Sequence, residues 1–303
     1  MKKLIIYLFF ITGCNSNQNV IDYDKVVNST NSGAPANVES SSNTLTKIRV
    51  GSWNMKRLGE GSKYNQLAAK IIEDNFDIIA IQEVMNINGI NQLLGNMPGW
   101  NYTISTQAVG TSYKEYYATL YRSEGITILS SYVFSDTQNL FEREPMISCF
   151  KYLNISSFCL ISIHVIYGST VGPRDSEIQA LANNVISPIL SLEGIEKDYI
   201  AVGDFNRSGS VASFSSFNTM GFNIVNSQNM STTIGTNGYV NPYDHIIANT
   251  SETKQLVPSS YKMIDIVSSY CGGTAGYCST NISDHAPVYV ELDLSVKDNS
   301  LVP

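Results

Sequence analysis

Short apolar runs recur along this chain, and several of them stop on a polar, ionisable side chain. Tyr199-Ile200-Ala201-Val202-Gly203-Asp204-Phe205-Asn206 reads as a buried strand that ends in a carboxylate, with a carboxamide two residues on. Side chains at i and i+2 of a strand share a face, so Asp204 and Asn206 are expected to converge on one ligand. Ile48 to Asn54 likewise closes on a carboxamide, Asp77 to Glu83 on a carboxylate and Cys159 to His164 on an imidazole. Ser283-Asp284-His285 stands directly ahead of the run Ala286 to Val290. In open α/β sheets ligands gather at the carboxyl ends of the strands, so these termini are where chemistry is expected.

Helical periodicity covers Lys63 to Asp74, where Leu67, Ala68, Ile71 and Ile72 line one face, and Arg174 to Leu190, where Ile178, Leu181, Ala182, Val185 and Ile189 do so. Strand-like runs occupy 100–105, 116–121, 126–134, 146–152, 157–164, 198–204, 243–248, 262–267 and 286–293. Strands outnumber helices and no tandem repeat is evident. The pattern predicts an α/β protein of two packed sheets with helices outside, in preference to a doubly wound parallel sheet. The folded domain is expected over 47–294, followed by a tail at 295–303.

The first residues read differently. Lys2 and Lys3 precede a short apolar core from Leu4 to Ile11, too short to span a bilayer, which predicts an export signal over residues 1–13. Ile11-Thr12-Gly13-Cys14 resembles the bacterial lipoprotein box, so a lipidated Cys14 is expected, with 14–46, rich in Asn, Ser and Thr, as a flexible tether. Cys149, Cys159, Cys271 and Cys278 remain, an even set in an exported chain, open to three pairings. Two local bridges are predicted, Cys149 to Cys159 across a turn at Asn154 to Ser157 and Cys271 to Cys278 around Gly272-Gly273, with free buried thiols as the alternative.

A hydrophobic content of 43% with 15% charged residues excludes a wholly disordered chain. A net charge of -7 argues against a strongly basic clamp on nucleic acid, yet leaves room for a nuclease in which divalent cations neutralise phosphate locally. The hard oxygen donors Glu83, Asp204, Asp284 and Asn54 suit Mg²⁺ or Mn²⁺. The chain has three histidines, His164, His245 and His285, all in polar strand-end motifs. Glu115 and Asp244 are candidate carboxylates to orient an imidazole and favour its charged form.

Taken in order, Trp53-Asn54-Met55, Gln82-Glu83-Val84, Ser112-Tyr113-Lys114-Glu115-Tyr116, Arg143-Glu144-Pro145, Ile163-His164, Gly203-Asp204-Phe205-Asn206, Tyr243-Asp244 and Ser283-Asp284-His285 resemble the endonuclease/exonuclease/phosphatase superfamily. Within it, the secreted deoxyribonuclease I type is most similar. The resemblance spans Lys47 to about Leu294 and implies a four-layer α/β/β/α sandwich that hydrolyses DNA with a divalent metal. It implies Glu83 as principal metal carboxylate, helped by Asn54 and Asp284, with Asp204 and Asn206 positioning the attacking water and the scissile phosphate. His164 with Glu115 and His285 with Asp244 are implied as the general acid and base pairs, and Arg143 and Tyr113 as backbone contacts.

The chain departs from the family where a minor-groove arginine becomes Met85, a DNA-contacting tyrosine becomes Val211 and a calcium-holding aspartate becomes Ser231. Ser208, Gly209 and Ser210 stand where a long-range disulfide is usual, so a calcium requirement is not carried over. Arg207, Lys56 and Arg57 are candidate phosphate contacts in compensation. DNA is the expected partner, the membrane only through the lipid anchor, and the chain is expected to be a monomer. The competing readings are a sphingomyelin or phospholipid phosphodiesterase and a non-catalytic surface binding module on the same fold.

Overall fold

A computed structural model of the protein describes residues 46–61, 65–111, 113–153, 155–192, 196–226 and 230–296. The export signal, Cys14 and almost all of the tether lie outside the described residues, as does most of the tail. Among the described residues no helix is long and apolar enough to cross a membrane.

The first half of the chain alternates β1 (Lys47–Leu58), α1 (Asn65–Asn75), β2 (Ile78–Val84) and α2 (Ile87–Leu94), then runs through β3 (Trp100–Ile104), β4 (Tyr116–Arg122), β5 (Ile126–Val133), β6 (Met146–Tyr152) and β7 (Ser156–His164). After α3 (Gly172–Ala180), a π-helical segment (Leu181–Ile186) and α4 (Ser187–Ser191) come β8 (Tyr199–Asp204), α5 (Ser215–Asn218) and β9 (Phe222–Ile224). A small ribbon, β10 (Ile234–Gly235) with β11 (Gly238–Tyr239), precedes β12 (Asp244–Asn249), β13 (Lys262–Met263), α6 (Ile266–Tyr270), α7 (Ala275–Asn281) and β14 (Val288–Asp293).

Two six-stranded sheets result, ordered β13-β14-β1-β2-β4-β3 and β5-β6-β7-β8-β12-β9. Both are mixed: β1 runs parallel to β2 and β7 parallel to β8, while their other named partners are antiparallel. Residues of period two face the opposing sheet. Ile48 and Val50, Ile78 and Ala80, Phe158 and Leu160, Ile200 and Val202, and Ile246 and Ala248 form one inter-sheet core. Their alternates pack outward, Ile79 and Ile81 with α1 and α2, Ile161 and Ala201 with α3 and the π-helical segment. Burying each such aliphatic side chain is worth about 1.5–3 kcal/mol.

The inward rows change character along their length. Val50 is followed on its face by Ser52 and Asn54, Ala80 by Gln82, Leu160 by Ser162 and His164, Val202 by Asp204, and Ile246 is preceded by Asp244. Gln82 joins the halves there, accepting from Ser52 Oγ at 3.0 Å and donating to Ser162 Oγ at 2.9 Å across the sheets. The apolar core therefore grades into a hydrogen-bonded layer and then into ionisable groups at one end of the sandwich.

Both predicted bridges are present, Cys149–Cys159 between facing residues of β6 and β7 and Cys271–Cys278 between α6 and α7. Three local expectations are corrected. The strand expected over 262–267 is limited to Lys262–Met263, because Asp265 caps a helix by accepting from Ser268 N at 3.0 Å. The helix expected as one element to Leu190 widens before Pro188, which has no N–H to donate to the carbonyl of residue 184. The helix α2, not expected, starts at Asn86, whose side chain accepts from Gly89 N at 3.3 Å.

Candidate active site

Strand register assembles the site. On the second sheet His164 lies beside Asp204 across the β7–β8 pair, and Asp204 beside Asp244 across β8–β12. On the first, Asn54 lies beside Gln82, one residue before Glu83. Gly203 permits the β7–β8 approach: its φ is 148°, and a Cβ there would stand 1.9 Å from Ile163 O. Plain alternation would turn Glu83 away from the opposing sheet. A left-handed φ of 59° and a shift of register between Ile81 and Val84 re-aim it. Lys56, Arg57 and Asn206 also adopt left-handed φ, of 44°, 59° and 49°. Such backbone strain costs on the order of 1–3 kcal/mol per residue and collects at functional sites.

A cavity of about 550 Å³ opens at this end of the sandwich, lined among others by Glu83, Tyr113, Arg143, His164, Asp204, Asn206, Asp284 and His285. At its floor two imidazoles converge on one carboxylate. His164 Nδ1 is 2.9 Å from Glu115 Oε2, and His285 Nδ1 is 2.8 Å from Asp244 Oδ2. Both Nε2 atoms lie 3.5 Å from Asp204 Oδ2. Asp204 is held in turn by Asn54 Nδ2 at 3.1 Å and by the Asn206 amide at 2.9 Å.

The electrostatics follow from burial opposed by charge. Burial works against the His285 imidazolium, but Asp244 and Asp204 outweigh it and push its pKa up to about 10. Burial also opposes the His164 cation, and Glu115 outweighs it, so that pKa is raised too. Glu115 is held below the usual carboxylate range against its own burial, mainly by the His164 charge. Asp204 is raised, because burial and the Asp244 charge exceed the help of the two imidazoles.

Other expected residues stand as follows. Glu83 accepts from Asn54 Nδ2 at 3.0 Å, from Tyr113 Oη at 3.1 Å and from the Arg57 amide at 3.1 Å. Asn54 presents nitrogen, not oxygen, to Glu83 and Asp204, and its Oδ1 accepts from the Lys56 amide at 2.9 Å. It bridges carboxylates in this arrangement instead of offering a ligand oxygen. Asp284 pairs with Lys56 Nζ at 3.0 Å. Arg143 is buried, donating to the His164 and Val165 carbonyls at 3.0 and 3.1 Å. Arg207 is not brought to the cavity, since Asp175 holds it with bonds of 2.8 and 3.1 Å. His245 is buried between Phe205 and Phe214 and bonded to Arg207 O at 2.7 Å, a packing position.

Several contributors were not expected. Tyr117 Oη accepts from the His164 amide at 2.8 Å, and Trp53 Nε1 donates to His285 O at 2.8 Å. One turn of α3 ties down three surrounding loops: Arg174 reaches Asn206 O, Asp175 reaches Arg207, and Glu177 accepts from the Glu142 and Ile166 amides at 2.7 and 2.9 Å. Charged residues near the start of an otherwise amphipathic helix were the available signal.

Among the described residues, Asp204, Asp244 and His285 have potential ligand atoms within 4.8 Å of one another. The 2.8 Å imidazole–carboxylate bond joins two of these groups, and the cavity-lining Glu83 and Asp284 are likewise engaged, Glu83 by Asn54, Tyr113 and the Arg57 amide and Asp284 by Lys56.

The profile of the Endonuclease/Exonuclease/phosphatase family matches residues 51–285. The Deoxyribonuclease of Thioalkalivibrio sp. (strain K90mix) is 28% identical over 260 residues, covering 81% of this chain and 71% of its own. Deoxyribonuclease-1 of Mus musculus is 28% identical over 270 residues, covering 81% and 91%. Among solved structures, D. rerio TDP2 complexed with single strand DNA product aligns with a TM-score of 0.60 at 16% identity, covering 81% of this chain and 98% of that one. A mannosyl-6-phosphatase of Bacteroides thetaiotaomicron VPI-5482 aligns with a TM-score of 0.57 at 19% identity, covering 81% and 99%. At these identities the structural likenesses speak to the fold.

Proposed function

The chain belongs to the endonuclease/exonuclease/phosphatase family, and on that premise we propose that it is a metal-dependent phosphodiester hydrolase that cuts DNA outside the cytoplasm. The observation that carries this reading is the convergence of two imidazole–carboxylate pairs on Asp204 within one cavity. The deoxyribonucleases among its relatives point to DNA over other phosphate esters.

Each imidazole has a carboxylate behind Nδ1, which fixes its tautomer and leaves Nε2 toward the substrate. One imidazole, in its neutral form, takes a proton from the attacking water while the other, in its charged form, delivers a proton to the departing oxygen. Asp204, 3.5 Å from both, orients the pair, and Asn206 sits on the wall where the phosphate would lie.

The donor set facing the cavity fits a hard divalent cation: it is made of carboxylate oxygens, and the four described cysteines are consumed in bridges. Glu83 and Asp284 would hold Mg²⁺ or Mn²⁺. When bound, the cation supplies charge neutralisation at the non-bridging phosphate oxygens and weakens the hold of the carboxylates on neighbouring protons.

Nicking of supercoiled plasmid by the purified protein is the test. Cleavage is expected with Mg²⁺ and not in EDTA, and His164→Ala is expected to lose about 10²–10⁴-fold in rate. No cleavage by wild type, full activity in His164→Ala, or turnover of sphingomyelin vesicles in place of DNA would overturn the reading. Location outside the cytoplasm is supported by the two disulfides, which persist in oxidising compartments. Lipidation at Cys14 is part of the proposal, checked by mass spectrometry of the mature N-terminus.

A further inference from the structure

Three residues beyond His164, at the rim of the cavity that both imidazoles line, Tyr167 stands 72% exposed. Three residues of chain reach at most about 10 Å, so the ring is tethered close to the proton-transfer groups. It is also held in place. The Arg174 guanidinium carbon lies 5.6 Å from its ring centroid, and Arg174 is itself buried and bonded to the carbonyls of Gly168 at 2.6 Å and Asn206 at 3.0 Å. The loop carrying the ring is thereby pinned, and the ring is presented to solvent over an immobilised cation.

The charges around the cavity sharpen the meaning of that ring. Glu83, Glu142, Asp204 and Asp284 line it together with the two imidazoles and Arg143, whose guanidinium is turned onto the His164 and Val165 carbonyls, while Lys56, Arg57 and Arg207, outside the lining, are each paired with a carboxylate. A duplex is gripped mainly by neutralising its phosphates, for which this surface is poorly furnished. A single strand is gripped by aromatic rings on which its bases stack. In a duplex the faces of each base are covered by its neighbours, so only an unpaired, unstacked base can offer a face to Tyr167.

We propose that Tyr167 is a stacking platform for an unpaired nucleobase next to the scissile phosphate, and that single-stranded DNA is accordingly the preferred substrate class. This rests on the nuclease reading above. The experiment measures binding and cleavage separately, using fluorescence anisotropy with a cleavage-resistant phosphorothioate oligonucleotide in Mg²⁺, single-stranded or annealed, and initial rates on the matching phosphodiester strands. Wild type is expected to bind and cut the single strand better. Tyr167→Ala is expected to weaken single-strand binding by about 5- to 150-fold, the span of one lost base–aromatic stack, with duplex binding within two-fold and the loss appearing in KM and not in kcat. Tyr167→Phe retains the ring and is expected to bind like wild type, as is Tyr132→Ala, which removes a remote exposed tyrosine on β5.

Equal losses on both DNA forms, single-strand binding within two-fold of wild type in Tyr167→Ala, or a wild-type preference for duplex would each overturn the stack while leaving the nuclease reading intact. A wild type that neither binds nor cuts either form overturns both.

Discussion

Two buried imidazoles in this protein are driven in opposite directions by what they face. His285 meets Asp244 and Asp204 and holds its proton up to about 10, whereas burial among Phe205, Phe214 and Asn226 lowers His245 to about 4. Since the folded state keeps His245 neutral, its contribution is fully present above the unfolded value near 6.5 and is lost as pH falls toward 4. That window is worth about 3 kcal/mol. Urea melts at pH 7 and pH 4.5 are expected to show a smaller acid loss in His245→Gln than in wild type. A second residue-scale outcome concerns Asp244→Asn. Removing that charge is expected to lower the His285 pKa in an NMR titration and to cut nicking by about 10²–10⁴-fold, because an amide fixes neither the tautomer nor the charge.

At the scale of elements, the approach of β7 to β8 depends on residue 203 having no side chain. Gly203→Ala forces a methyl into the Ile163 carbonyl at a φ that L residues rarely adopt. A loss of about 3 kcal/mol or more in urea denaturation is expected, together with loss of nicking, since His164 and Asp204 would part. Elements with apolar or alternating runs were legible from the residues alone: Met146–Tyr152 has the expected bounds, and β8 and β14 begin within two residues of theirs. Short caps were the weak point. Ile264 to Val267 looks strand-like until the Asp265 side chain turns it into a helix start, and the Asn-rich stretch after Asn86 conceals α2 behind Gly89. In the site, residues at strand ends were readable because alternation and order place them. The fate of Arg207 was not, because its partner Asp175 lies on a separate helix whose docking no local pattern encodes.

For the whole molecule, each sheet supplies part of one site. Asn54 and Glu83 come from the first, His164, Asp204 and Asp244 from the second, and Asp284 and His285 from the segment entering β14. A cation bound between such carboxylates stabilises the folded state by about 2.7 kcal/mol at one hundred times its Kd. Adding MgCl₂ is therefore expected to raise Tm by several degrees in a scan without DNA, and Glu83→Gln is expected to lose that shift. The order of assembly has its own outcome. The first strand, β1, lies against the last, β14, in a register from Lys47 opposite Asp293 to Ser52 opposite Val288. A polymer emerging from the ribosome amino end first must hold that edge open until residues 288–293 have been made. His285 is made with the same stretch, so a copy halted before it lacks one of the two imidazoles that face Asp204, and the cavity stays unfinished until that edge closes.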